Sequence, residues 1–428
     1  MSRPDLLLDI TRLLRRARHA TPTGIDRVEM AYARYLARHA AERLVYTAFH
    51  PGGWHVRLPA AAAARFLQET TRRWRGEPAQ ARRSAAALWA RLCLTAPAAP
   101  AAVGARPAAY LLLSHTNLER PAAVARAIAA ERARLVCLVH DLIPLTHPQF
   151  ARAGSERLHR TRLGTVEALA DLVVCNSQAT ARAIGAALGR GARQARIVAA
   201  PLGVALDWQD TQASARAAGT LDTAGTGAAQ PPAAAPYFVM LGTIEPRKNH
   251  MLMLLAWQRL VEQCGAAGAP RLKLIGRSGW DNAHVLGLLE RTPALRGVVS
   301  LSGRAGDREV AALLRGARAL LMPSFAEGFG LPVAEALALG VPVIASDLPA
   351  LREAGGAAPE YLDPLDGPAW LRAVRDYAPP HAPRRAAQLA RIAAWRAPSW
   401  EAHCGTVLAA IDNLPYPPPG GPETCLVR

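Results

Sequence analysis

Short apolar runs alternate with amphipathic stretches along most of the chain, and this alternation restricts the fold more than any other feature. It is the pattern of parallel sheets covered by helices on both faces. In the first half, strands are expected at 6–10, 44–49, 110–113, 135–139, 172–175 and 196–199. Between them lie helical stretches such as 25–39, where Ile25, Val28, Tyr32, Tyr35 and Leu36 fall on one face. Ser177 suits the N-cap of another helix. After an Ala/Gly/Thr/Pro-rich linker at 206–236 the alternation restarts, with strands expected at 237–241, 272–275, 298–301, 319–322 and 341–345. The length of 428 residues allows two such domains. The expected organisation is therefore α/β, with two doubly wound Rossmann-like domains. Residues 1–205 form the first, with an Ala/Arg-rich helical insertion at about 58–107, and 237–397 form the second. A terminal helix at 398–414 and a loose tail at 415–428 follow.

Charge divides the two halves. Through residue 205 there are 30 basic and 13 acidic residues, and beyond it 21 and 20, so nearly all of the net +18 lies in the first half. Such a field favours an anionic partner. The insertion holds Arg72-Arg73-Trp74-Arg75 and Arg82-Arg83 near Phe66 and Trp89, which suits either an anionic membrane surface or a solvated helical insertion. The six cysteines are scattered, without metal-ligand spacing, which implies a reducing compartment. The first apolar run, Leu6 to Leu8, stops at Asp9, and no apolar stretch approaches the ~20 residues of a membrane span. A cytoplasmic protein, at most peripheral to the inner face of the membrane, is expected.

The densest chemical signal runs from Leu320 to Asp347. A strand is followed by Pro323-Ser324-Phe325-Ala326-Glu327-Gly328-Phe329-Gly330-Leu331-Pro332 and a helix. Pro332 fits a first helical turn, and the amides of Phe329, Gly330 and Leu331 would face an anion at the helix start. Glu327 and Glu335 flank that position, and a carboxylate accepts two hydrogen bonds, as vicinal sugar or ribose hydroxyls require. A second cluster, Gly242-Thr243-Ile244-Glu245-Pro246-Arg247-Lys248-Asn249, sets two cations after a strand end, suited to a diphosphate. Only Lys248 and Lys273 are lysines among 51 basic residues, so Lys248 stands out in a chain that otherwise uses Arg.

With these residues in view, the chain resembles the family-4 retaining glycosyltransferases, or group 1 glycosyl transferases, of the two-domain GT-B fold. The resemblance rests on the Glu-x7-Glu pattern of Glu327 and Glu335, on Glu245 to Asn249, on Leu274-Ile275-Gly276-Arg277 and on Gly340 to Ser346. In the first half it takes in Thr23-Gly24-Ile25-Asp26-Arg27-Val28, His140-Asp141-Leu142-Ile143-Pro144 and Asn176-Ser177. It implies transfer of a sugar from a nucleotide-sugar donor to an acceptor hydroxyl, with retention. Glu327 would hold donor-sugar hydroxyls, Glu335 the ribose, Lys248 and Arg247 the diphosphate, and the amides of Phe329, Gly330 and Leu331 the distal phosphate. His140 would face the donor sugar, and Gly24 would let the first loop approach the reaction centre. Where many members carry a phosphate-binding arginine this chain has Thr243, and Arg247, Arg277 or Arg304 would substitute.

No cofactor and no metal are expected, since the chain has no Asp-x-Asp; the nearest sequence is Asp307-Arg308-Glu309. Likeness to bacterial polysaccharide mannosyltransferases points to GDP-mannose, ahead of UDP-glucose, UDP-N-acetylglucosamine and dTDP-rhamnose. The acceptor would be a growing glycan or a polyprenyl-diphosphate-linked one. A nucleic-acid binder would explain the charge but lacks a zinc, helix-turn-helix or RNA-binding signature, and a nicotinamide enzyme lacks Gly-x-Gly-x-x-Gly. A catalytically silent nucleotide-binding module of the same fold is opposed by Glu327, Glu335 and Lys248.

Overall fold

A computed structural model describes residues 3–19, 21–97, 106–189, 194–204, 235–303 and 305–416. Arg304, most of the expected linker and residues 417–428 of the expected tail lie outside them. The chain divides into two units. The first holds Met1–Leu145, Gly154–Leu202 and Trp400–Arg428, and the second Thr146–Ala153 and Gly203–Ser399.

The first unit is built on the strands β1 (Asp5–Asp9), β2 (Leu44–Phe49), β3 (His55–Arg57), β4 (Ala108–Leu112), β5 (Ala133–Val139), β6 (Leu172–Cys175) and β7 (Arg196–Ala199). Their order across the sheet is β3-β2-β1-β4-β5-β6-β7, parallel except for β3, which pairs antiparallel with β2. The order reverses between β1 and β4, which pair from Asp5 with Ala108 to Leu8 with Leu111. Leu6, Leu7 and Leu8 are fully buried, as a strand covered on both faces requires. The helix Gly24–His39 is opened by a capping box, in which Thr23 accepts from the Asp26 amide and Asp26 accepts from the Thr23 amide. Ser177 caps the helix Gln178–Ala187 through the Thr180 amide.

The insertion folds as two helices, Ala60–Trp74 and Ala81–Leu94. Phe66 and Trp74 are buried in it, so neither is available to a membrane surface, because both lie on the helix face that packs inward. Arg73 donates to the carbonyls of Ala17 and Arg18, and Arg82 to that of Arg18. The start of the expected loose tail is also tied down, since the Pro415 carbonyl accepts from Arg134 Nε at 2.9 Å.

The second unit holds β8 (Tyr237–Leu241), β9 (Arg271–Ile275), β10 (Val299–Ser302), β11 (Leu320–Met322), β12 (Val343–Ser346) and β13 (Glu360–Leu362), all parallel, in the order β10-β9-β8-β11-β12-β13. Successive residues of β8 enter opposite cores. Phe238 and Met240 join Trp257 and Trp370 on one face, and Val239 joins Leu320, Val333 and Leu351 on the other. Trp257 is fully buried, stands edge-on to Phe238 at 5.7 Å and donates its indole N–H to the Pro270 carbonyl at 2.7 Å. Burial of each such side chain contributes roughly 1.5–3 kcal/mol, which holds the carboxyl ends of β8, β9 and β11 in place. Those ends carry the second unit's site.

Candidate active site

Two glycines bring the ends of β8 and β9 together. The Gly242 amide donates to the Ile275 carbonyl at 2.9 Å. A Cβ on Gly276 would lie 1.7 Å from the Gly242 oxygen, so only glycine permits this approach. The chain then makes a tight turn at Pro246–Lys248, and Asn249 takes the left-handed conformation (φ 56°) that lets the helix His250–Gly268 start. Asn249 anchors the turn by donating to the Pro364 carbonyl at 3.0 Å. The Lys248 stem lies over Gly242, where an added Cβ would be 3.3 Å from Cε.

From β11 the chain runs through residues 323–330 into the helix Leu331–Ala338. Gly330 is its N-cap at φ 100°, and a Cβ there would meet Leu351 at 2.4 Å. Among the described residues, nothing accepts from the amides of Phe329, Gly330 and Leu331. The loop is knitted to the Lys248 turn, because the Phe325 amide donates to the Arg247 carbonyl at 2.9 Å and Arg247 Nη1 donates to the Ala326 carbonyl at 2.8 Å.

Four charged side chains close this mesh. Lys248 Nζ lies 2.6 Å from Glu327 Oε1, and Arg247 Nη1 lies 2.7 Å from Glu327 Oε2. Arg247 Nη2 also lies 2.6 Å from Glu245 Oε1. Burial would raise the Glu327 carboxyl, but Arg247 and Lys248 overcome it and carry it down to about 2. Burial pushes Glu245 up, only partly offset by Arg247 and Lys248. Burial also lowers the Lys248 ammonium, against the pull of Glu327. His250 falls to about 4 through burial and the nearby Lys248.

The sequence assigned Glu327 and Lys248 to different parts of a donor, and the structure pairs them. It also brings in Glu245, a partner of Arg247 that was quoted in the motif but given no role. Its place two residues before Arg247 was the available signal. Glu335 is buried at the fifth position of the helix Leu331–Ala338. Arg277 is partly buried just past β9, and its carbonyl accepts from the Ile244 amide at 2.9 Å. Thr243 packs beside Gly279, where a Cβ would meet its methyl at 2.7 Å.

His140 and Gly24 belong to the first unit. His140 follows β5 and is buried, with Nε2 2.9 Å from the Leu113 carbonyl. Burial lowers it to about 4, so the ring is neutral. Its Nε2 is then the donor to that carbonyl, and Nδ1 is left as the acceptor. Gly24 is the first residue of the helix Gly24–His39, set there by the Thr23 cap, and not a loop glycine. It is absent from the glycines of positive φ, so its backbone is one that any residue could adopt.

Comparison with known proteins bears on the family and the fold. The family "Glycosyl transferases group 1" matches residues 228–357, which contain both Glu245 to Asn249 and the Glu327 loop. The serotype-specific mannosyltransferase WbdA of Escherichia coli is 31% identical over 219 residues, which is 50% of this chain and 26% of that protein. The O-antigen chain mannosyltransferase B of E. coli is 38% identical over 130 residues, 30% of this chain and 33% of that one. The alignments thus span about a quarter to a third of these relatives' lengths. Among solved structures, Anabaena Alr3699/HepE in complex with UDP-glucose superposes with a TM-score of 0.56 at 15% identity, covering 95% of this chain and 97% of that one, a likeness of fold. Residues 228–357 thus carry a group 1 glycosyl transferase domain, and the chain has the two Rossmann-like domains of the GT-B fold.

Proposed function

We propose that the chain transfers a sugar from a nucleotide diphosphate donor to an acceptor hydroxyl with retention of configuration. The carrying observation is the buried cluster of Arg247 and Lys248 on Glu327, knitted to a loop whose terminal amides open a helix. Departure of the leaving group builds negative charge on the diphosphate. Preset cations and helix-terminal amides stabilise that charge without reorganising, which is where such sites gain most of their rate. Lys248 and Arg247 are assigned to the diphosphate, with Arg277 as a further cation, and the amides of Phe329, Gly330 and Leu331 to the distal phosphate. Glu327 has about four lone-pair sites, and two face cations. The others remain to accept donor-sugar hydroxyls. Glu335 is assigned to the ribose, and His140 Nδ1 to a sugar hydroxyl as acceptor.

The sugar is read as mannose from GDP-mannose, which the mannosyltransferases among the relatives support, and the acceptor as a growing or polyprenyl-diphosphate-linked glycan. No helix among the described residues is long and apolar enough to cross a membrane. A lipid-linked acceptor would therefore be met at an anionic membrane surface, to which the basic first half is suited. A thermal-shift screen tests the donor. GDP-mannose at 100 times its Kd stabilises the folded state by about 2.7 kcal/mol, whereas no shift with any nucleotide sugar overturns the reading.

A further inference from the structure

In the first unit, His140 lies in a group with His115 and His159, and the proposed donor chemistry uses His140 alone. His140 and His159 are buried and His115 is half-buried. β4 and β5 are parallel neighbours, paired from Ala108 with Ala133 to Leu112 with Cys137, so the residues that follow them emerge side by side. Leu113 to His115 follow β4, and His140 follows β5. The first stretch grips the second at two points. The Leu113 carbonyl accepts from His140 Nε2 at 2.9 Å, and His115 Nε2 accepts from the His140 backbone amide at 3.4 Å. The His115 ring also stands edge-on to the His140 ring, with centroids 5.7 Å apart.

His159, on the helix Ser155–Leu169, completes the group. Its ring stands edge-on to His115 at 4.8 Å, and its Nε2 lies 3.2 Å from the Asp141 carbonyl. Asn176 Nδ2 donates to the His140 carbonyl at 2.9 Å. Both polar main-chain atoms of His140 are thus held by side chains from other segments. A reacting group held in this way keeps its direction, and misplacement by about 1 Å costs up to ~100-fold in rate. We propose that His115 is a positioning residue for His140, fixing the backbone and the ring direction with which His140 Nδ1 meets the donor sugar.

The role requires a neutral His115. An imidazole nitrogen accepts only while it carries no proton, so His115 has to be the Nδ1–H tautomer, and a protonated ring loses the contact. The surroundings favour the neutral form. Burial pushes His115 well down, and His159, His140, Arg162 and Arg12 push the same way. Burial also lowers His140, with Arg12 reinforcing it and Asp141 and Asp26 opposing. At His159 burial acts with Arg162 and against Asp141.

This role rests on the reading of His140 as the sugar-facing residue, and the two are tested apart. Side-chain nitrogen NMR of the full chain reads ring tautomers without substrate, with the His115 signal assigned by its loss in the variants. GDP release from GDP-mannose to water reads turnover. In the wild type His115 is expected as the Nδ1–H tautomer, still neutral at pH 6.5, where an unperturbed histidine is about half protonated. His115→Phe keeps a ring but no acceptor. It is expected to shift the His140 ring resonances and to lower kcat at least about tenfold while the GDP-mannose KM stays within about threefold, the pattern of a misdirected reacting group. His115→Gln, whose side-chain oxygen reaches the place of Nε2, is expected to restore the His140 resonances and to bring kcat within about threefold of the wild type. An Nε2–H tautomer at His115, or a ring protonated at pH 6.5, overturns the positioning role. Unchanged kcat and unchanged His140 resonances in His115→Phe overturn it too. A loss of kcat that His115→Gln shares, with a lowered Tm, makes His115 structural and overturns it as well. Unchanged kcat in His140→Ala would instead overturn the reading of His140, and absence of GDP release in the wild type the transferase reading, while the tautomer and the His140 resonances still decide whether His115 holds His140.

Discussion

Glu327 is gripped by two cations, so loss of any one of the three charges is felt by the others. Lys248→Ala leaves the carboxylate on Arg247 and removes one donor from the proposed diphosphate site. Turnover is expected to fall by roughly 100-fold or more, the scale of removing one transition-state donor, and unchanged steady-state kinetics would exclude that role. The same pairing makes stability depend on pH. Glu327 is depressed from an ordinary 4.5 to about 2, so its contribution is complete above pH 4.5 and is lost as pH falls through about 2. The drop in Tm between pH 5 and pH 2 is expected to be smaller in Glu327→Gln than in the wild type, and equal drops would show that Glu327 does not carry the linkage. The sequence located Lys248 and Glu327, because a cation pair after a strand and a carboxylate in a glycine loop are local patterns. It did not reveal that they meet. The two residues are 79 positions apart, and only the adjacency of β8 and β11 joins them.

At the scale of elements, strand ends aim these side chains, and the contact between Gly276 and the Gly242 carbonyl is the tightest constraint on them. Gly276→Ala has to force β8 and β9 apart at their carboxyl ends. Overpacking of this kind costs about 1–3 kcal/mol, and donor affinity should fall with it, since the Lys248 turn follows Gly242 directly. Denaturant unfolding beside nucleotide titration checks this, and an unchanged midpoint would mean that the two strands can slide. The strands on which this depends were largely legible, because buried parallel strands read as continuous apolar runs. Leu172–Cys175 and Tyr237–Leu241 fall where the runs fall. The last expected strand begins later, at Val343, because Pro342 has no amide for the ladder, and it extends to Ser346, a buried polar residue paired with Leu362. His55–Arg57 and Glu360–Leu362 were missed, being three residues each and mixed in polarity. Their pairing partners, not their own sequences, make them strands.

For the whole molecule, periodicity cannot say to which body an element returns. The terminal helix was expected as a separate element after the second domain, whereas Trp400–Asp412 belongs to the first unit. His403 fixes it there, with Nε2 2.6 Å from the Tyr32 hydroxyl and Nδ1 2.9 Å from the Ala200 carbonyl. Charge, by contrast, is read along the chain directly, with a large basic excess through residue 205 and near balance beyond it. Phe66 and Trp74 are buried, while Trp89 is half-buried and Leu94 exposed, so attraction of the first half to a membrane would rest mainly on its exposed arginines. Arg82, Arg83 and Arg91 are exposed on the helix Ala81–Leu94, away from its buried Leu88 and Leu92. Each basic residue near an anionic surface contributes about 1 kcal/mol, and the attraction fades beyond the Debye length of ~10 Å at 0.1 M salt. Pelleting with phosphatidylglycerol vesicles should therefore fall steeply between 50 and 300 mM salt, conditions under which ~10 Å screening tightens further. Replacing Arg82 and Arg83 with Glu should weaken it by about tenfold or more at low salt, on the same scale of ~1 kcal/mol per charge. Binding that ignores ionic strength, or that survives the double substitution intact, would mean that this helix is a solvated insertion whose charge serves solubility alone.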